Sequence, residues 1–205
     1  MQIKNQLWTA VLWLALAAIF LSACSSTTSQ NSGTVDFDQM FINMMVPHHQ
    51  AAVEMAKIAQ QRAEHPEIKQ MADAVISGQQ EEITQMKDWK KQWNGSSDTP
   101  PMSAMPLLGK MAGMDKAATT MNMQAEVDQL KNAAEPFDLA FIDSMIPHHQ
   151  SAIDAAKMAL TQAQRPQTKD LAQKIIDAQQ KEIDQMTTWR TAWYPDAAPA
   201  KMPLH

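Results

Sequence analysis

The sequence contains an internal repeat: residues 37–93 align without a gap with residues 137–193, so that Phe37 corresponds to Phe137. The tetrapeptide Pro-His-His-Gln stands at 47–50 and again at 147–150, and the pattern Gln-Gln-x-Glu-Ile-x-Gln-Met stands at 79–86 and again at 179–186. Somewhat under half of the positions in the two copies are identical. Such self-similarity marks a duplicated structural unit, so the two copies are expected to share one fold.

Each copy predicts two helices joined by a short turn. In the first copy, apolar residues recur at spacings of three and four from Phe37 to about Ala63, with Asp38 as a candidate cap. Pro66 is placed to open the second helix. Because a lone helical hairpin buries little surface, two hairpins are expected to enclose a common core. The sequence therefore predicts an all-α, ferritin-like four-helix bundle, made of two pseudo-symmetric helical-hairpin repeats with a long crossover.

The repeat and the composition also predict the organisation of the chain. The crossover begins rich in Pro, Ser and Gly and is expected to become helical around 124–134. The predicted segments are a signal peptide at 1–23, a flexible polar tether at 24–35, a duplicated bundle at 36–195 with repeat one at 37–93, a Met-rich crossover at 94–136 and repeat two at 137–193, and a flexible tail at 196–205.

The N-terminus is typical of a bacterial lipoprotein signal. Lys4 precedes an apolar run at 7–21, which is shorter than the about 20 residues of a spanning helix. The run ends in Leu-Ser-Ala-Cys, which resembles a lipobox, so Cys24 is the predicted lipidation site. An uncleaved anchor, or cleavage after another small residue, would equally export the chain. We expect a periplasmic or cell-envelope lipoprotein, and Ser25 favours the outer membrane if the cell is Gram-negative.

Composition narrows the chemistry that is open to the exported part. Cys24 is the only cysteine, so the folded part has neither a disulfide nor a thiolate ligand. A net charge of −5 and the lack of a basic patch argue against a nucleic-acid partner. The 17 methionines are an unusually large number, and methionine is both an adaptable core filler and a soft thioether ligand.

Polar and sulfur-containing side chains fall on the inward faces of the predicted helices. On the first helix of each copy both histidines point inward or to its shoulders, and the second helix adds an inward glutamate and methionine. Pro47 and Pro147 lie inside the helical pattern, where a kink is expected to open space. Copy two has Ser144 in place of Met44. The candidate metal ligands are Met44, Met45, His48, His49, Glu82 and Met86 in copy one, and Met145, His148, His149, Glu182 and Met186 in copy two.

Thioether ligands favour Cu(I) or Ag(I), whereas imidazole suits copper, zinc or iron. The crossover adds close methionine pairs whose spacing lets two thioethers reach one soft ion, namely Met102 and Met105, Met111 and Met114, and Met121 and Met123. Packing is the ordinary alternative. An inward histidine can be a hydrogen-bonded core residue, Glu82 can simply pair with His49, and the methionines can fill the core or fix the crossover to the bundle. The His-His, Glu and Met set recurs in both copies while neighbouring positions differ, which favours a metal site.

These motifs together resemble the exported bacterial family known as domain of unknown function 305, of the ferritin-like helical class. The resemblance rests on Met-Ile/Val-Pro-His-His-Gln followed by Gln-Gln-x-Glu-Ile-x-Gln-Met and Trp, and it covers roughly 36–193. It implies periplasmic copper binding and copper resistance that use Met and His. The ligands it implies are Met45, His48, His49 and Met86, with Met145, His148, His149 and Met186 as their counterparts.

Three functions are therefore considered. The leading hypothesis is a non-enzymatic envelope protein that sequesters Cu(I), with Ag(I) as a mimic, or relays it to a copper-handling partner protein. The second is a ferritin-like di-metal oxidase, for which inward carboxylates are few and Glu-x-x-His motifs are lacking in the sequence. The third is a metal-free structural or partner-binding lipoprotein.

Overall fold

The computed structural model describes residues 36–106 and 120–198, and in it each copy of the repeat folds into a pair of long antiparallel helices. This architecture confirms the predicted all-α four-helix bundle. The elements are α1 (Phe37–Arg62), α2 (Pro66–Asn94), a 3-10 turn (Met102–Ala104), β1 (Met105–Pro106), β2 (Thr120–Met121), α3 (Met123–Lys131), α4 (Phe137–Gln162) and α5 (Pro166–Trp193). The predictions for the signal peptide, Cys24, the tether, Met111, Met114 and the end of the tail lie outside the described residues.

Local sequence signals set most helix ends. Pro66 and Pro166 occupy the first turn of α2 and α5, where a missing N–H costs nothing. Gly95 ends α2 with a φ of 79°, in the left-handed region that favours glycine. α1 and α4 continue through Pro47 and Pro147.

The two hairpins meet through α1 and α4. α1 contacts both α2 and α4, and α4 contacts α5. The first turn of α1 meets the end of α4, since Asp38 binds the backbone of Gln164, so these two helices are antiparallel. It follows that α2 and α4 point the same way, and the crossover must return along the length of α2, about 40 Å for its 29 residues. This up-down-down-up order is the ferritin-like connectivity.

The crossover packs on one hairpin more than on the other. β1, the 3-10 turn and α3 all contact α1, whereas the crossover contacts α4 mainly through α3 and less extensively. On α1 the covered side carries methionine and is buried, whereas the matching side of α4 carries small residues that are partly exposed. The buried residues are Met40, Met44 and Ala51, and the partly exposed residues at the equivalent positions are Ala140, Ser144 and Ser151.

None of the helices within residues 36–106 and 120–198 carries an apolar stretch long enough to cross a membrane.

Two buried aspartates tie the hairpins together. The Asp38 carboxylate accepts hydrogen bonds from the backbone N–H groups of Gln164 and Arg165, at 2.9 and 3.1 Å, at the start of α5. Asp138 does the same for the start of α2 through the N–H groups at positions 64 and 65. The prediction that Asp38 caps its own helix is therefore wrong. Asp36 caps α1 by accepting from the Asp38 N–H at 3.0 Å, because it stands one residue before the helix.

Aromatic side chains cover each hairpin turn from the opposite repeat. The ring of Trp193 stacks on His65, with centroids 3.8 Å apart and planes at 6°. At the equivalent place in the other repeat, the Arg165 guanidinium lies 4.2 Å from the centroid of Trp93. Both contacts join the last turn of one repeat to the hairpin turn of the other.

Replacing Asp38 with alanine should lower the free energy of unfolding by about 1–2 kcal/mol, because two N–H groups at the start of α5 lose their acceptor. Burial raises the pKa of Asp38, but contacts with Thr168 and with the Gln164 and Arg165 amides outweigh it and leave the pKa below its ordinary value. This stabilisation is therefore present above the ordinary pKa and is lost as the pH falls through the lowered one.

Denaturant unfolding of the wild type and Asp38→Ala at neutral and acidic pH measures both effects. Asp177→Ala, which removes an exposed carboxylate from the middle of α5, is the matched control and should change little. Equal stability of Asp38→Ala and Asp177→Ala would contradict the capping role.

Candidate metal centre

A histidine–glutamate contact fixes the register of α1 against α2. Nε2 of His49 lies 2.7 Å from Oε2 of Glu82, and the His49 ring is fully buried. Met45 precedes His49 by one turn on α1, and Met86 follows Glu82 by one turn on α2. Because the helices are antiparallel, both methionines lie one turn, about 5.4 Å, from the contact and toward the same end of the hairpin. Both are fully buried.

The second repeat has the same arrangement. Nε2 of His149 lies 2.7 Å from Oε2 of Glu182, with Met145 and Met186 buried one turn away. Here the approach is off the direction of the ring N–H, so the contact is an ion-pair distance and not a well-directed hydrogen bond. Burial lowers the pKa of His149, and this outweighs the contact with Glu182, which raises it.

Each of these histidines has a ring nitrogen without a hydrogen-bond partner. An ionised carboxylate only accepts hydrogen bonds, so Glu82 fixes the hydrogen of His49 on Nε2 and leaves a lone pair on Nδ1. Nδ1 of His49 and Nδ1 of His149 are buried and lack a protein hydrogen-bond partner. The side-chain amides of Gln79 and Gln179, also on the inward faces, are unpaired as well. Buried polar atoms without partners are costly in an apolar core, and they are typical of sites where a ligand completes the arrangement.

The other two histidines meet between the repeats. The rings of His48 and His148 lie with centroids 3.8 Å apart and planes at 34°. Nε2 of His48 is 2.8 Å from Oγ of Ser151, and this hydroxyl donates to the backbone carbonyl of His148 at 2.8 Å. Because the hydroxyl hydrogen is used in that bond, Oγ accepts from Nε2–H of His48. Nδ1 of His48 therefore carries a lone pair, and it is buried without a partner.

The pKa of His48 is well below its ordinary value because burial disfavours the charged ring, and the neighbouring rings of His148, His49 and His149 add to the effect. His48 is thus neutral and able to act as a ligand over the physiological pH range.

His148 has a different environment from its counterpart. Nδ1 of His148 lies 3.0 Å from Oε2 of Glu126, a residue of the crossover helix α3. Nε2 of His148 lies 3.2 Å from the backbone carbonyl oxygen of His48. Both ring nitrogens therefore face atoms that only accept hydrogen bonds.

The remaining candidate ligands are distributed around the crossover. Met44 is buried on the side of α1 that the crossover covers. Met123 is buried and Met102 partly buried against the core cluster, so these two pack as the packing alternative expects. The backbones of Met105 and Met121 are paired in the β1–β2 ladder. Among residues 36–106 and 120–198, no three His, Cys, Asp or Glu side chains converge on a common point where an ion would fit.

Sequence reasoning missed two residues of this centre, Ser151 and Glu126. Ser151 replaces Ala51 of the other copy, so a position-by-position comparison of the two copies beside the histidines could have identified it. Glu126 has no counterpart in the repeat, and the sequence carries no signal that α3 docks beside His148.

Comparison with known proteins gives a consistent result. The model of the family described as Domain of unknown function (DUF305) matches residues 38–190, which confirms the resemblance. A solved structure titled CopM in the Cu(I)-bound form is 41% identical, covers 77% of this chain and 97% of its own, and superposes with a TM-score of 0.61. Further structures of CopM are in Cu(II)-bound, Ag-bound and apo forms.

Two more distant relatives were found. A DUF305 protein from Streptomyces coelicolor, 24% identical over 77% of this chain and 93% of its own, has a TM-score of 0.63 and shows the same fold. The uncharacterized protein L153 of Acanthamoeba polyphaga mimivirus is 43% identical over 49 residues, which is 24% of this chain and 32% of that protein. The match therefore spans only about a third of the length of that protein.

The buried histidines predict a loss of stability in mild acid. The unfolded chain takes up protons on His48 and His149 at pH values where the buried rings stay neutral, so stability should fall as the pH drops below about 6.5. His48→Gln, whose amide can still donate to Ser151, should flatten this slope. Urea denaturation at several pH values between about 8 and 5 measures it, and an identical slope in wild type and variant would disprove the assignment.

Proposed function

Since this chain belongs to the DUF305 family, we propose that it is an exported protein that binds copper as Cu(I) through methionine and histidine side chains. In this proposal Ag(I) binds at the same positions, because it shares the preference of Cu(I) for soft ligands. The protein sequesters the ion in the envelope or relays it to a copper-handling partner protein, and so contributes to copper homeostasis or resistance.

One observation carries the proposal. In both repeats the histidine–glutamate contact brings two fully buried methionines to one level of the hairpin, one turn from a buried imidazole. An imidazole lone pair and two thioethers are a donor set that suits Cu(I). The repetition supports ligation over packing, since the same three side-chain types recur at equivalent places.

In each repeat the proposed ligands have distinct roles. Met45 and Met86, with Met145 and Met186 in copy two, supply sulfur, and the paired histidines supply nitrogen through Nδ1. Glu82 holds the ring hydrogen of His49 on Nε2, so it orients the ligand and need not touch the ion, and Glu182 lies at the same distance from Nε2 of His149. Burial lowers the pKa of His149, which favours the neutral form that binds metal.

The similarity to CopM supports the identity of the ion. CopM structures have been solved with Cu(I), Cu(II) and Ag bound, and CopM is 39–41% identical to this chain over most of its length. We extend that ion preference to this chain because its inward donor set is rich in sulfur.

Met44 and the methionines of the crossover form a second part of the proposal. Met44 and His48 lie one turn apart on the side of α1 that the crossover covers, and Met102 and Met123 pack nearby in the same core cluster. We propose that the crossover pairs, namely Met102 and Met105, Met111 and Met114, and Met121 and Met123, bind further copper ions.

The N-terminal sequence supports export and anchoring. The apolar run that ends in the lipobox-like sequence at Cys24 is the basis for a lipoprotein that faces the periplasm or the outer envelope.

Replacing Met45 and Met86 together with leucine should weaken Cu(I) binding by at least about tenfold, about 1.4 kcal/mol, at one site per molecule. Leucine keeps nearly the same volume, so the fold should remain intact with a cost below about 1.5 kcal/mol per substitution. Competition with a Cu(I) chelator measures both affinity and stoichiometry.

The matched control is Met71→Leu, which changes a buried methionine of α2 away from the histidines. The double variant at Met145 and Met186 reports on the second repeat. If all three proteins bind Cu(I) as the wild type does, thioether ligation in the hairpins is wrong. Elemental analysis of the purified protein tests the di-metal oxidase alternative, which predicts bound iron.

Replacing Cys24 with serine should release the protein from the membrane fraction, because the thiol that would carry the lipid is lost. Fractionation of cells followed by immunoblotting compares the variant with Ser25→Ala, which keeps the cysteine. Equal membrane association of Cys24→Ser and Ser25→Ala would contradict lipidation at this position.

A further inference from the structure

We propose that Glu126 of the crossover helix is a positioning residue that holds the ring hydrogen of His148 on Nδ1 and thereby keeps Nε2 of His148 available to a metal ion. The proposal extends the copper-binding function above and rests on it for its consequence. Its structural part, the tautomer of His148, is a property of the metal-free protein.

The geometry isolates Glu126 as the cause. The His148 ring is fully buried, and its two nitrogens have one neighbour each, the Glu126 carboxylate at 3.0 Å and the His48 carbonyl at 3.2 Å. Both neighbours are acceptors, so a neutral ring can satisfy only one of them. A hydrogen bond to an ionised carboxylate is roughly twice as strong as one to a neutral carbonyl, so the ring hydrogen belongs on Nδ1.

The remaining lone pair is then held in an unfavourable place. Nε2 of His148 directs its lone pair toward the carbonyl oxygen of His48, where two electron-rich atoms face each other in a buried site. A cation bound at Nε2 after a small rotation of the ring would relieve this repulsion. Without Glu126 the hydrogen would move to Nε2, donate to the carbonyl and close the nitrogen to metal.

This arrangement gives His148 the opposite tautomer from its neighbours. Hydrogen-bond partners place the hydrogen on Nε2 in His48 and His49, through Ser151 and Glu82. Of these three histidines, only His148 contacts a carboxylate from the crossover, that of Glu126. The crossover therefore controls one ligand atom at the junction of the hairpins, and metal binding there depends on the docking of α3.

Long-range ¹H–¹⁵N correlation spectra of metal-free protein at mildly alkaline pH distinguish the two tautomers of each histidine. We expect a protonated Nδ1 and an unprotonated Nε2 for His148 in the wild type, and the reverse in Glu126→Ala. Glu126→Gln should show both tautomers, since its neutral amide oxygen competes about evenly with the neutral carbonyl of His48. Asp128→Ala, which removes an exposed carboxylate from the same helix, is the matched control and should leave the pattern unchanged.

Cu(I) titration against a competing chelator provides the second readout. Glu126→Ala should weaken the site that uses His148 by about 10- to 100-fold, the usual effect of losing a group that orients a ligand. Glu126→Gln should weaken it less, and Asp128→Ala should bind nearly as the wild type does. Thermal unfolding of each variant reports whether α3 has lost its docking.

The outcomes separate this proposal from the one that it extends. A wild-type His148 with its hydrogen on Nε2 or on both nitrogens would overturn the positioning role, whatever copper does. An Nδ1 tautomer that persists in Glu126→Ala would overturn it as well. A wild type that shows the expected tautomer and binds no Cu(I) would refute the copper function and leave the role of Glu126 in place.

Discussion

Four buried imidazoles in a helical core are the constraint on which the rest of the structure depends. Each ring needs an acceptor for at least one N–H, and an unpaired buried group is expensive. The protein meets this need at three of the rings with single side chains from neighbouring helices, namely Glu82, Ser151 and Glu126. These partners fix how each helix is set against the next, so the register of the bundle and the orientation of the candidate ligands have one origin.

The two repeats share a fold but offer different surroundings to equivalent histidines. The crossover lies over α1, where methionine fills the covered side, and it reaches α4 mainly through α3. His48 faces the hydroxyl of Ser151 on α4, whereas His148 faces the carboxylate of Glu126 on α3. The pairs at His49 and His149, in contrast, keep the same spacing to their glutamates.

Features that repeat along a helix could be predicted from the sequence, and features that depend on how helices meet could not. The apolar periodicity and the positions of the prolines predicted the long helices, and helical geometry placed Met45 and His49 on the inward face, where both are buried. It could not assign Asp38 to the start of α5, because an aspartate near a helix start carries the same local signal whichever helix it caps. Glu126 was missed for a related reason, since only tertiary docking brings α3 to His148.

The contacts between the hairpins are reciprocal. The carboxylates of Asp38 and Asp138 each bind the backbone at the hairpin turn of the other repeat, and Trp93 and Trp193 each pack on that same turn. This is the geometry of a twofold dimer, in which every contact between the two subunits occurs twice, once in each direction. Two separate copies of one hairpin could associate through the same surfaces, but because both copies would have one sequence, every substitution would occur in both. When the two hairpins are joined in one chain, each can carry its own substitutions. Ser144, Ser151 and the Glu126 contact could then arise on one side alone, which gives the protein two unlike halves from a single ancestral interface.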